Sequence, residues 1–264
     1  MCTLVILRRP GHDWPLILAA NRDEMIDRPW QPPARHWSDR PQVLAGLDEL
    51  AGGTWLGLND DGVVAAVLNR RGSLGPEDGK RSRGELVLEA LDHAAAEAAA
   101  AALVHLDPRA YRSFNLVIAD AENCYWLRNR GAEGPGRIEI DAPLAGLSML
   151  TAGDLDDRTS PRIRTYLPKL RAAEEPAPDP EDLENGGDWT SWQEILSSRD
   201  YAAEDGPFAA MSLVTDVGFG TVSSSLIALP SPAARFGPAE VRAVWLFAPD
   251  RPDIAQYQMI NLEA

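Results

Sequence analysis

The chain has 264 residues, of which 45% are hydrophobic and 25% charged; this is an ordinary globular composition, and it excludes a collagen-like or wholly disordered chain. No run approaches the roughly 20 apolar residues that a membrane-spanning helix needs, and two cysteines are too few for a disulfide scaffold. With 40 acidic against 25 basic side chains the net charge is −15, which repels nucleic acid and anionic membrane surfaces.

Thr3 to Leu7 is apolar and β-branched at its centre, and predicts a buried strand. The opening lacks the charged-then-apolar order of a secretory signal, so a cytoplasmic chain that begins directly with a strand is expected. Pro10 to Asp13 form a turn, and Leu16 to Ala20 make the second strand of a hairpin. Four prolines between Pro29 and Pro41, with Trp30, His36 and Trp37 among them, predict a long irregular loop. Gln42 to Leu47, Gly53 to Leu58 and Val63 to Leu68 read as strands, the last two joined by the polar turn Asn59 to Gly62. Ser82 with Glu85 has capping-box spacing, and one alanine-rich helix is expected from there to about His105.

Phe114 to Ala119, Cys124 to Leu127, Arg137 to Ile140 and Leu147 to Thr151 predict further strands. Ser160-Pro161 starts a helix with Ile163, Tyr166 and Leu167 on one face, which Pro168 should kink or end. Residues 173–188 form an acidic, proline-rich, solvated loop. Ser191 with Glu194 suggests a short helix, and 211–215, 221–229, 241–247 and 257–262 are expected closing strands. The run Ser223 to Ser225 reads as a polar edge. Strands on both sides of the acidic loop point to a single α+β domain over residues 1–264.

No metal site is expected. The four histidines, His12, His36, His93 and His105, show no ligand spacing. Gly52-Gly53 and Gly218-Phe219-Gly220 are turn glycines and match no phosphate-binding fingerprint. Cys124 reads as a buried strand residue. Cys2 stands out. Removal of Met1 would leave it leading the chain, with a free α-amine of reference pKa about 7.7–8.0. Nucleophile and base would then share one residue. The competing reading is a plain strand residue. Asn21, Arg22, Asp23 and Glu24 follow the second strand, and a hairpin brings them opposite residue 2. Alternation places Asn21 and Asp23 on one face and Arg22 on the other. There Asp23 would hold the cysteine ammonium and Arg22 a thiolate; alternatively the stretch is a charged loop that ends the strand.

Met1-Cys2-Thr3, Leu18 to Glu24, Arg28-Pro29, Gly52 to Gly57, Phe114-Asn115-Leu116 and Gly218 to Thr221 resemble the NRDE family, the group named after Transport and Golgi organisation protein 2. That family is similar in layout to the N-terminal nucleophile hydrolases of the choloylglycine and penicillin acylase type. The resemblance implies a four-layer αββα sandwich of two mostly antiparallel sheets between helices. It implies an amide or thioester (acyl) hydrolase with Cys2 as nucleophile, Arg22 and Asp23 beside it, and Asn69 as an oxyanion donor. Asn21, Trp30, His36 and Trp37 are the residues expected to meet a small-molecule substrate. The acylases' second donor, an asparagine after a Leu-Ser or Leu-Thr pair, is missing from Leu147-Ser148-Met149 and Leu150-Thr151-Ala152. The alternative is a non-catalytic haem or acyl-CoA/lipid trafficking protein on the same scaffold. No cofactor is expected outside that alternative, and neither a nucleic-acid partner nor membrane insertion is expected.

Overall fold

In chain order the elements are β1 (Thr3–Arg8), β2 (Leu16–Met25), β3 (Trp30–Ala34), β4 (Val43–Asp48), β5 (Leu56–Asn59), β6 (Val64–Asn69), α1 (Gly84–Leu91), α2 (Ala96–Leu103), β7 (Phe114–Ala119), β8 (Cys124–Asn129), β9 (Glu139–Asp141) and β10 (Gly146–Leu150). They continue with α3 (Pro161–Ala172), β11 (Ala177–Pro178), β12 (Gly187–Asp188), α4 (Thr190–Ser197), β13 (Phe219–Leu229), α5 (Pro232–Arg235), β14 (Val244–Ala248) and β15 (Gln258–Met259). The structure, a computed structural model, describes residues 2–263. The chain divides into two compact units, one built from the residues up to Arg28 with Ala145–Leu262, the other from Pro29–Leu144.

The first unit is a six-stranded antiparallel sheet in the order β10-β1-β2-β13-β14-β15. Alternate side chains, among them Val5, Leu7, Ile17, Ala19, Leu226 and Leu246, pack against Ile163, Tyr166, Leu167 and Leu170 of α3 and Trp192 and Leu196 of α4. Each such buried side chain contributes about 1.5–3 kcal/mol. β2 runs on to Met25, so the polar stretch Asn21 to Glu24 lies inside the strand and not after it. The reason is non-local: β13 pairs with β2 along its whole length, from Leu229 opposite Leu16 to Phe219 opposite Met25, with one bulge between Thr221 and Ser223. The serines 223–225, expected at an edge, lie on this central strand and are buried.

α3 continues through Pro168 to Ala172. The N–H that proline lacks would serve the carbonyl of Arg164; Arg164 and Pro168 are both exposed, so that carbonyl is left on the solvent side of the helix. The acidic segment is exposed along most of its length and contains only the two-residue ribbon β11–β12. The stretch 211–215 forms one isolated bridge, Val214 to Gly220, in place of a strand.

The second unit is a seven-stranded antiparallel meander, β3 to β9 in order, with α1 and α2 packed on Val43, Ala45, Ala65, Leu116, Ile118 and Leu127. The proline-rich segment expected to be irregular supplies the edge strand β3. It tolerates Pro32 and Pro33 because the pairing with β4 shifts register between Gln31 and Ala34, where a ladder donor is not needed. The single alanine-rich helix is broken into two. The Asn59 amide donates to the carbonyls of Leu91 (2.9 Å) and His93 (2.8 Å), terminating α1. Ala95 is extended, and an Asp120 carboxylate oxygen accepts the Ala96 N–H at 2.9 Å to start α2. Ser82 accepts from Gly84 N–H at 3.2 Å, without a capping box.

Gly52 sits at φ +69°, and a Cβ on Gly53 would lie 2.6 Å from the backbone carbon of Gly84. Gly53→Ala is therefore expected to force β5 and α1 apart and to cost about 1–3 kcal/mol, read as a lowered urea midpoint. An unchanged midpoint would show that the two backbones separate freely.

Candidate active site

Cys2 lies immediately before β1, and the register Thr3 to Asn21 sets it against the polar end of β2. Its Sγ donates to the Asp23 carbonyl oxygen at 3.6 Å. Val5 and Leu7 face α3 and α4, so alternation puts Thr3 on that same face and turns Cys2, Leu4 and Ile6 to the other. On β2 the same rule places Asn21 and Asp23 on the helix side and Arg22 on the Cys2 side. The sheet thus carries the sulfur and Arg22 on one face and the Asp23 carboxylate on the other. Burial pushes the Cys2 thiol above its ordinary value of 9.0; the nearby Asp23 charge adds to this and Arg22 opposes it.

The Asp23 carboxylate is fully buried and paired with Arg162, whose Nη1 donates to Oδ2 at 2.8 Å. The same Nη1 donates to Thr3 Oγ1 at 2.8 Å. Thr221 Oγ1 donates to Asp23 Oδ1 at 2.7 Å and accepts from the Leu213 N–H. Arg162 is the site residue that sequence reasoning missed. Its signal was available: it lies at helical spacing with Tyr166 and Leu170, a charge on the apolar stripe of α3.

Asn21 was expected to meet substrate; it is 1% exposed and its amide holds the fold together. Nδ2 donates to the carbonyls of Leu196 (3.0 Å) and Met211 (2.9 Å), and Oδ1 accepts from Ser224 at 2.6 Å. Ser224 has one proton, so the Tyr257 hydroxyl at 2.6 Å is the donor to it. Burial pushes the Tyr257 phenol above its ordinary value of 10.0, with the Ser224 contact opposing. The sign follows: the folded state keeps a proton that the unfolded chain releases, so this stabilisation is complete below pH 10 and is lost as pH rises through the folded value. Urea midpoints are expected to fall as pH rises above about 10, and less steeply in Tyr257→Phe; equal slopes would remove Tyr257 from the account.

In the second unit the other expected residues fall in different places. Trp30 on β3 packs edge-on against Trp55, centroids 5.7 Å apart. His36 lies edge-on to Trp37 at 5.6 Å, and its Nε2 is 2.9 Å from the Pro32 carbonyl. Trp37 donates to the Gly52 carbonyl at 3.1 Å and packs on the core under α1 and α2. These contacts hold β3 and its following loop to the unit. Asn69 is the last residue of β6, half-buried, opposite Phe114. Among the described residues no group of three or more His, Cys, Asp or Glu is placed to hold a metal, and no helix is long and apolar enough to cross a membrane. Cys124 is 2% exposed at the start of β8.

Comparison with solved structures shows the fold. An N-acylethanolamine-hydrolyzing acid amidase ortholog from Caenorhabditis elegans aligns with a TM-score of 0.56 at 14% identity, over 92% of this chain and 98% of that one. The R18L variant of the conjugated bile acid hydrolase from Clostridium perfringens aligns with a TM-score of 0.52 at 13% identity, over 100% and 94%. The fold is α+β, of the N-terminal nucleophile hydrolase type, as the sequence resemblance implied. In sequence, the Transport and Golgi organization 2 homologs of Mus musculus and Homo sapiens are 37% and 38% identical over 131 residues, 46% of this chain and 46% of each relative. The chain therefore spans about half the length of the curated relatives it matches. The family model Transport and Golgi organisation 2 matches residues 1–176, and the chain belongs to that family.

Proposed function

We propose that this chain is a cysteine N-terminal nucleophile hydrolase that cleaves an amide or thioester bond of a small acyl compound. The observation that carries the reading is the placement of Cys2 at the head of β1, its sulfur 3.6 Å from the Asp23 carbonyl oxygen and on the face that Arg22 shares. The fold held in common with an N-acylethanolamine amidase and a conjugated bile acid hydrolase supports the bond class.

In this reading Met1 is removed and the α-amine of Cys2 takes the thiol proton as the sulfur attacks the acyl carbon. A carbon–sulfur bond forms, and the carbonyl becomes an oxyanion, for which the resemblance assigns Asn69 as donor. The amine then protonates the departing amine or thiol. Water, deprotonated by the same amine, releases the acid and restores the thiol. With Met1 in place the Cys2 nitrogen is an amide that cannot act as a base, so this reading requires its removal.

Two measurements on the native protein test this. Intact mass should correspond to loss of Met1, and a thiol-reactive acyl probe should label Cys2 and leave the buried Cys124 unmodified. A retained Met1, or an unlabelled Cys2, would count decisively against the reading.

A further inference from the structure

We propose that Arg162 is a positioning residue for this site: it neutralises Asp23 from the helix side and so keeps the α-amine of processed Cys2 uncharged near neutral pH, free to accept the thiol proton. The inference rests on the cysteine reading above and adds a residue to it. A carboxylate alone beside an amine favours its ammonium form, and an ammonium cannot act as a base. The sequence reading, in which Asp23 holds a cysteine ammonium, carries that difficulty.

The geometry resolves it. The Asp23 carboxylate is paired at 2.8 Å with a guanidinium that is 2% exposed. The same nitrogen is bonded to Thr3, the residue covalently next to Cys2, so the cation is anchored at once to the carboxylate and to the strand that carries the nucleophile. Thr221 fixes the second carboxylate oxygen. An arginine suits this position, since a buried lysine loses its proton readily and a guanidinium does not.

The charged side chains that act on Cys2 are Arg22, on its own face of the sheet, and Asp23, on the helix face, where Arg162 of α3 pairs with it. On the β10 side, Leu150 pairs with Leu4 and Thr151 follows it, both uncharged. Arg162 offsets the Asp23 charge, which by itself would favour the ammonium form of the α-amine.

The test needs no turnover. The full chain is prepared with Cys2 leading, by release from an N-terminal fusion, and labelled with [13C]cysteine. The Cys2 Cα shift is then followed against pH. In the parent protein the amine should titrate no higher than its reference value of about 7.7–8.0. Arg162→Met should raise it by about one pH unit or more, and Asp23→Asn should lower it by a similar amount. Arg162→Lys should fall between the parent and Arg162→Met, because a lysine buried there loses its proton more readily than a guanidinium, and the uncharged double variant D23N/R162M should return to the parent value.

Should Arg162→Met not fold, the downward step from the double variant to Asp23→Asn decides the matter. An amine that titrates at one pH in every folded variant overturns the proposal, and so does an upward shift in Asp23→Asn. A parent protein whose amine titrates as expected yet turns over no acyl substrate would sink the hydrolase reading and leave the role of Arg162 standing.

Discussion

Cys2→Ala in the processed protein is expected to lower kcat/KM for a chromogenic thioester or anilide by about 10⁴-fold or more, which is roughly 5–6 kcal/mol of transition-state stabilisation. Alanine is small enough for Met1 removal to continue, so the loss reports the sulfur and not a failure of processing. The α-amine, Asp23 and Arg22 all remain. The fold should be undisturbed, because the sulfur's hydrogen bond is a long one to a carbonyl at 3.6 Å and the residue keeps partial exposure. Parallel urea curves should therefore superimpose within about 0.5 kcal/mol. Cys2→Ser, which keeps an oxygen nucleophile beside the same amine, should fall between the two. Full activity in Cys2→Ala would end the cysteine mechanism while leaving the family assignment intact.

The second large effect is on stability. Asp23→Ala should destabilise the protein by about 3–5 kcal/mol, because it strands a buried guanidinium. Arg162 would lose its carboxylate but keep its bond to Thr3, and the Thr221 hydroxyl would lose its acceptor. Combining Asp23→Ala with Arg162→Met removes both charges, and much of the loss should return, since two apolar groups in a buried site carry no desolvation penalty. The comparison is a double-mutant cycle on urea midpoints. Simple additivity of the two single losses would show that the pair does not act as a unit. The outcome bears on catalysis as well, since the interaction that holds Asp23 in place is the one proposed to leave the Cys2 amine neutral.

Much of the architecture was legible before any coordinates. The β1–β2 hairpin, the turn at Asn59 to Gly62 and the strands Phe114–Ala119 and Cys124 to Leu127, the latter running on to Asn129 in the structure, follow from local periodicity and turn chemistry. Where expectation and structure part, the cause is a partner far along the chain. The helix expected to run to His105 is cut because Asn59 takes the carbonyls of Leu91 and His93, and Asp120 caps Ala96. The prolines of β3 are accommodated by a register shift against β4. The serines of β13, polar in sequence, are central in space and serve as ligands for Asn21, Tyr257 and Trp245.

The sequence by itself put Asn21 and Asp23 on one face and Arg22 on the other, since side-chain parity along a strand is a local geometric necessity; the pairing with β13 decided that β2 runs on through them. The sequence determined too the negative charge that disfavours polyanionic partners. Only the tertiary structure decided that Asp23 is answered by Arg162 from a helix 139 positions away, and that the Asn21 amide is committed to the carbonyls of Leu196 and Met211. Nothing in strand periodicity encodes which charge a distant helix will lay against a sheet. That is set by how α3 docks, and the docking is driven by Ile163, Tyr166, Leu167 and Leu170, the apolar neighbours that carry Arg162 into the core with them.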